Sequence, residues 1–481
     1  MIAAFTARTV ALIFLAIHLL TIGIYPFHRD ELYLIVSGRH LGWPGVNHTT
    51  PAVLLARAAE LLGGLSPFAQ RVPDALCGFA VILLAGASAK RLGGGRGAQL
   101  LAALAVATGP IFFFSSGVHG TNAPDQLCWA LAGYVFLGCF EARPRWVLLG
   151  VVLGVGFLVK ATILFSAAGL VVAVLATPLR RRLTTAVPGA LVFLLFLLPT
   201  ATWQQLHGWP LLTFIASSNA AVRARTSTIA IVFDQLRLLG PAGLALTAIG
   251  VATGLQKGAS QAGRATSVFF VAVLVAVLGV HGKPYYLSAA APLMIAVGSI
   301  KCADCLSSLR RQVARTSLVF AWLLSSILIL AGTLPLLPLA LQERLQIHKL
   351  NPELIQFADW DAHVAQIATA YRQSGLDGAP VLTDSYGTAS AIDLFDHGLP
   401  QAVSPGNDFF FWTAGARPEA VLALGYPPEL LAQLFEEVTY VATIRGAGNH
   451  DNRFDFPRAA YACRRPKRPL AELWLAMRRF D

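Results

Sequence analysis

Up to about residue 340, long apolar blocks alternate with short basic stretches; beyond that point polar and apolar positions mix. A bilayer core takes about 20 residues of helix. The blocks at 9–26, 72–89, 97–116, 124–140, 146–159, 161–177, 184–203, 235–255, 266–280, 286–300 and 316–340 therefore predict an α-helical polytopic membrane protein with about 11 transmembrane helices. Merging the fifth and sixth blocks would strand Lys160 inside one overlong helix, so two short, tightly joined helices are expected there. The first block lacks a small-residue cleavage site before His28-Arg29-Asp30-Glu31 and is expected to be a retained span.

The loops alternate in charge. Arg8, then Lys90, Arg91 and Arg96, then Arg143 and Arg145, then Arg180–Arg182, Lys257 and Arg264, and Lys301 with Arg310, Arg311 and Arg315 occupy one set. The opposite set is longer and less basic. By the positive-inside rule the first set is cytoplasmic, which puts the N-terminus inside the plasma (inner) membrane and the C-terminal region outside. Composition agrees: 56% of residues are hydrophobic and 13% charged, where a soluble domain carries about a quarter charged. The net charge of +12 sits in these anchoring runs, against membrane lipid, and no nucleic-acid partner is expected. Of six cysteines only Cys302 and Cys305 are spaced C-x-x-C, with no second pair to complete a metal site.

The unusual polar motifs fall on the outside. The first outside loop, 27–71, holds two amphipathic stretches, about 30–40 and 51–63, that read as helices lying in the membrane interface. Asp30 and Glu31 fit two readings: a base or metal ligand beside the headgroups, or first-turn acids favoured by the helix dipole. Asn122, Pro124 and Asp125 make a good helix start, yet Asp125 shares a compartment with Asp30. Lys160, between two membrane helices, either snorkels to water or pairs with an anion such as a phosphate. His281-Gly282-Lys283-Pro284-Tyr285-Tyr286 is either an aromatic-anchored loop or a second cationic site. Arg223 and Arg225 add positive charge outside, where a bound anion would account for them.

In this order the motifs resemble a known family. Arg29–Tyr33 with Gly38-Arg39-His40 and His48, Asn122–Leu127, Lys160-Ala161-Thr162 and Gly282–Leu287 look like bacterial GT-C glycosyltransferases similar to protein O-mannosyltransferases and the lipid A aminoarabinose transferase. Asp384–Gly387 and Pro405–Trp412 continue the likeness. The resemblance implies a polyprenyl-phosphate sugar donor, a hydroxyl acceptor on lipid A, glycan or protein, and in some members a divalent metal ion. It makes Asp30 the base or metal ligand, with Glu31 beside it and Asp125 orienting the acceptor or completing a metal site. Lys160 and Lys283 become candidates for the lipid phosphate, with Arg223 or Arg225 as further candidates to balance its charge, while Tyr33, His40, His48, Asn122, Tyr285 and Tyr286 are expected to bind substrate. Asn47 and Thr49-Thr50 depart from the aspartate and prolines of close relatives, and Ala161 from a common aromatic.

Two domains are expected: residues 1–340 as the GT-C-like catalytic unit, and 341–481 as a small extracytoplasmic α/β domain. In the latter, Ala379–Thr383 and Val438–Ile444 read as strands, and 386–396 and 427–437 as helices. A transporter or flippase for a lipid-linked or anionic substrate is the alternative; it would place ionisable residues near the midplane of repeated halves, and no such repeat is visible.

Overall fold

A computed structural model describes residues 6–41, 45–46, 50–308, 312–333, 341, 344–349, 351–414, 418–445 and 457–480. Up to residue 333 the described chain is helical: α1 (Ala7–Thr21), α2 (Arg29–His40), α3 (Thr50–Gly63), α4 (Pro67–Arg91), α5 (Arg96–Ala107), α6 (Pro110–Ser116), α7 (Asn122–Leu137), α8 (Trp146–Val159), α9 (Ile163–Leu175), α10 (Leu183–Leu206), α11 (Pro210–Arg225), α12 (Thr228–Leu255), α13 (Gln261–Val280), α14 (Tyr285–Ser288), α15 (Ala291–Ser308) and α16 (Gln312–Thr333).

Among the described residues four helices are long and apolar enough to cross a bilayer, namely α4, α10 with the 3-10 turn before it, α12 and α13. Helices α5 and α6 reach that length only together, bent by 63°, because Gly109-Pro110 cannot continue the preceding helix. Helices α1, α8 and α9 are shorter apolar helices. The chain is thus a multi-pass helical membrane protein, but these lengths do not give eleven full spans. Several of the helices are interrupted. Lys160 leaves α8 in extended conformation, and α12 kinks at Gly240, whose φ of 70° suits glycine, just before Pro241. The stretch 204–234, expected as a loop, contains α11, opened by Pro210 in its first turn.

Helices α8 and α10 touch main chain to main chain. A Cβ on Gly150 would collide with the Gly189 carbonyl, and one on Gly189 with the Trp146 carbonyl. Little else covers α10: Leu191, Leu194, Leu195 and Leu198 are all more than half exposed, as a lipid-facing helix should be.

The first loop differs from its expected form. Every residue of α2 from Glu31 to Gly38 is buried. Leu32, Tyr33, Ile35 and Val36 share a core with Trp360, Ile367, Ile392 and Phe409. So α2 does not lie in the membrane interface; the chain beyond residue 351 covers it. Helix α3 keeps an open apolar face at Leu54, Leu61 and Leu62.

Beyond 351 the described chain builds a five-stranded sheet in the order β2-β1-β3-β5-β4, from β1 (Val381–Thr383), β2 (Ala402–Val403), β3 (Ala420–Leu424), β4 (Phe435–Ile444) and β5 (Arg458–Pro466). Strands β2, β1 and β3 run parallel, while β5 pairs antiparallel with β3 and β4. Helices α17 (Trp360–Ser374), α18 (Tyr386–Phe395) and α19 (Phe409–Trp412) accompany it. The predicted helix 427–437 stops at Leu434 and turns into β4. The end of that stretch, Phe435–Glu437, settles in the sheet by pairing with β5, and the β-branched Val438 and Thr439 continue the strand.

Candidate functional site

Asp30 sits in the first turn of α2, which His28 opens with a capping box. The His28 ring accepts from the Asp30 amide, and Glu31 returns the bond to the His28 amide. The Asp30 side chain is 41% exposed. The Tyr386 hydroxyl, at the start of α18, donates to Asp30 Oδ1 at 2.8 Å and accepts from Arg29 at 2.6 Å. The Arg29 guanidinium lies 4.5 Å from the Tyr386 ring centre. An accessible carboxylate is thus held in orientation by a residue from the far end of the chain.

The same domain grips α2 a turn further on. Tyr33 is fully buried; its hydroxyl donates to Asp408 at 2.5 Å and accepts from the Asp408 amide at 3.0 Å. Burial pushes the Asp408 carboxyl up to about 6, although Tyr33 and the Val46 amide pull it the other way. Burial, with the Asp408 charge adding to it, holds the Tyr33 hydroxyl well above its ordinary value. Tyr33, expected to bind substrate, is therefore a buried tie. His40 is exposed and stacks on Trp412 at 4.1 Å, with the rings nearly parallel. His48 lies outside the described residues.

Glu31 does not join Asp30 as a catalytic acid. It is fully enclosed, and both its oxygens are taken by Arg71 at 2.7 Å, with the amides of His28 and His119 at 2.8 Å each. Burial pushes the Glu31 carboxyl up, but Arg71 and the His28 amide outweigh it and hold the group below the usual carboxylate range. Arg71 also donates to the carbonyls of Ile22, Tyr25 and Pro26. This pair pins the chain between α1 and α2.

A second cluster forms where α8 breaks. The Lys160 ammonium donates to Asn122 Oδ1 at 2.5 Å and to the Tyr285 hydroxyl at 3.4 Å. It lies 4.8 Å from the Tyr285 ring centre and 5.7 Å from that of Tyr286. Residues from the start of α7, the α8–α9 break and the loop into α14 are so brought together. Lys283 stands within electrostatic reach of Tyr285. Asp125 is buried, and its oxygens accept from Trp129 at 3.1 Å and Thr162 at 2.9 Å. It therefore braces the turn after Lys160 and has no open oxygen for an acceptor or a metal. Arg223 and Arg225 sit exposed at the end of α11, with no hydrogen bond or ion pair among the described residues. Nothing shown there joins them to Lys160.

The two clusters lie at one end of the helical bundle. The His119 amide bonds Glu31, the neighbour of Asp30, and Asn122 follows three residues later. From the linker, Glu353 reaches to 3.7 Å from His28 Nε2 and interacts electrostatically with Tyr285. Among the described residues no three His, Cys, Asp or Glu side chains gather as a metal set. Asp30 Oδ1 is shared by the Tyr386 hydroxyl and the Arg29 guanidinium.

Several members of this site carried little sequence signal. Tyr386 and Asp408 stand inside motifs of the resemblance, with no role evident from spacing. Asp74, which pairs with His119 inside the bundle, was the clearer clue: a carboxylate just inside a predicted span marks function or a buried partner.

Residues 48–203 match the sequence model of the family described as dolichyl-phosphate-mannose-protein mannosyltransferase. No curated protein sequence matches the chain significantly. Among solved structures, ArnT from Cupriavidus metallidurans in the apo state superposes with a TM-score of 0.61 at 14% identity, over 95% of this chain and 97% of that one. ArnT from Cupriavidus metallidurans bound to undecaprenyl phosphate gives a TM-score of 0.59 at 15% identity, with the same coverage of both chains. Over residues 48–203 the chain is thus similar to the dolichyl-phosphate-mannose-protein mannosyltransferase family, and as a whole it shares the fold of ArnT.

Proposed function

We propose that this chain transfers a sugar from a polyprenyl phosphate to a hydroxyl acceptor at the outer face of the inner membrane. The observation that carries this reading is Lys160, an ammonium at the break between two membrane helices, steadied by Asn122 and Tyr285. A lipid phosphate presented at membrane depth is the natural anion for that cation. The undecaprenyl phosphate in ArnT, which shares the fold, supports a donor of this class. Topology follows the basic loops, with the N-terminus cytoplasmic and the region beyond 341 outside.

In the reaction the acceptor oxygen attacks the anomeric carbon and forms the new C–O bond. The bond from that carbon to the phosphate oxygen breaks, and its electron pair leaves on the phosphate. Asp30 takes the acceptor proton, and inversion at the anomeric carbon results. The largest charge to develop lies on the departing phosphate, which Lys160, with Lys283, stabilises. Asp125 and Thr162 keep the turn behind Lys160 in place.

The test is transfer from a panel of radiolabelled polyprenyl-phosphate sugars to membrane acceptors by purified protein. Asp30→Ala should cost about 100-fold to 10,000-fold, the range for a general base, at unchanged membrane abundance. Retained transfer in that variant would remove the base assignment. A folded wild-type protein that consumes no donor would end the transferase reading.

A further inference from the structure

Helix α4 carries a second buried polar pair one turn beyond Arg71, which the reaction above does not use. Asp74 and His119 are buried, with side chains at 0% exposure, and His119 Nδ1 stands 2.5 Å from Asp74 Oδ2. The Gly120 amide donates to Asp74 Oδ1 at 3.3 Å, and His119 Nε2 lies 3.3 Å from the Ala52 carbonyl of α3. A carbonyl only accepts, so Nε2 carries a hydrogen, and a single proton lies between Nδ1 and the carboxylate. Arg71 and Asp74, three residues apart, share one face of α4. The first grips Glu31 and the second grips His119 and Gly120, while the His119 amide itself bonds Glu31. The turn so held runs directly into Asn122, the partner of Lys160.

We infer that the Asp74–His119 pair is a positioning device that sets the Asn122–Lys160 phosphate clamp in register with Asp30. Asp74 touches neither substrate; it acts through the 119–122 turn, and this role rests on the transferase reading above. An ion pair buried for stability alone gains little over well-packed apolar groups. Here the pair ties α3, α4 and the start of α7 at the one place where the two clusters must meet. A displacement of about 1 Å at a reacting centre costs on the order of 100-fold in rate.

Asparagine at 74 keeps every bond: its carbonyl accepts from Gly120, and its amide donates to the neutral Nε2–H form of His119. Leucine at 74 fills the volume and keeps none. Purified wild type, Asp74→Asn and Asp74→Leu are compared for donor KM, kcat and the stabilisation given by added undecaprenyl phosphate. Asp74→Asn should retain transfer within about 5-fold. Asp74→Leu should lose on the order of 100-fold in kcat/KM and lose the stabilisation by undecaprenyl phosphate, a loss larger than its own fall in ligand-free Tm accounts for. If Asp74→Leu transfers as wild type does, or loses activity only in step with its Tm, the positioning role is overturned while the transferase reading stands. A defect in Asp74→Asn equal to that in Asp74→Leu also overturns it, since charge rather than hydrogen-bond geometry would then matter. A wild-type protein without transfer removes the parent reading and this inference together.

Discussion

The clusters around Lys160 and Asp30 are built in opposite ways. Lys160 is met by Asn122, Tyr285 and Tyr286, all on membrane helices or their short joints. Asp30 is oriented by Tyr386, and its helix is tied down by Asp408, both from the sheet-bearing region several hundred residues later. The Lys160 cluster draws its hydrogen bonds from the bundle, whereas Asp30 takes its Tyr386 contact from the C-terminal region. One half of the site can therefore be damaged without the other.

The largest separable effect should come from Lys160→Ala. Removing the cation should lower kcat/KM for the donor by about 100-fold to 1,000-fold, the range for losing one electrostatic stabiliser, and leave acceptor KM unchanged. Equal damage to both substrates would join the clusters into one unit. Tyr386→Phe comes next. It deletes only the hydroxyl that orients Asp30, and steady-state rates should show a roughly 10-fold fall in kcat with donor affinity intact. An increase in donor KM instead would contradict the division of labour.

A smaller effect concerns docking and pH. The Asp408 carboxyl titrates at about 6 in the folded chain because of burial, above about 3.9 when unfolded. The folded state thus binds the proton more tightly, and its contribution is fully present below the unfolded value. That contribution, at most about 3 kcal/mol, is lost as pH rises from 4 through 6. Asp408→Asn should flatten this slope in thermal melts recorded between pH 4 and 7; an unchanged slope would assign it to another group. Last and smallest, Arg223→Ala and Arg225→Ala should change transfer less than 2-fold, in keeping with their exposed place on α11. A loss of donor affinity there would extend the Lys160 cluster outward.

The same contrast explains what could be read in the sequence. Lys160, Asn122 and the two tyrosines stand out because polar residues beside apolar blocks are costly and few. Their grouping by the structure needs only neighbouring helices. Asp30 was conspicuous, but Tyr386 and Asp408 look like ordinary residues of a mixed polar region, and their pairing with α2 depends on long-range packing. Glu31 had the same local signal as Asp30; only the Arg71 opposite it reveals that one carboxylate is enclosed and the other open. The breaks within the apolar segments divide in the same way. The break at Lys160 was legible as a charge between two apolar blocks, whereas those at Gly109 and Gly240 fall inside apolar blocks and were not. The helix α11 was overlooked because its mixture of small and polar residues has no clear period, although Pro210 marked its start.

The glycine contact between α8 and α10 has a consequence for sequence drift. Neither Gly150 nor Gly189 has room for a single methyl group, because backbone stands where the methyl would go. A relative with alanine at either position must hold α10 further out. Through Trp203 and His207, which rest on Phe411, that outward step would be carried to α19, whose Trp412 stacks on His40 at the end of α2. Two residues with no side chain, on the lipid side of the bundle, thus limit how far the two ends of this chain can diverge independently.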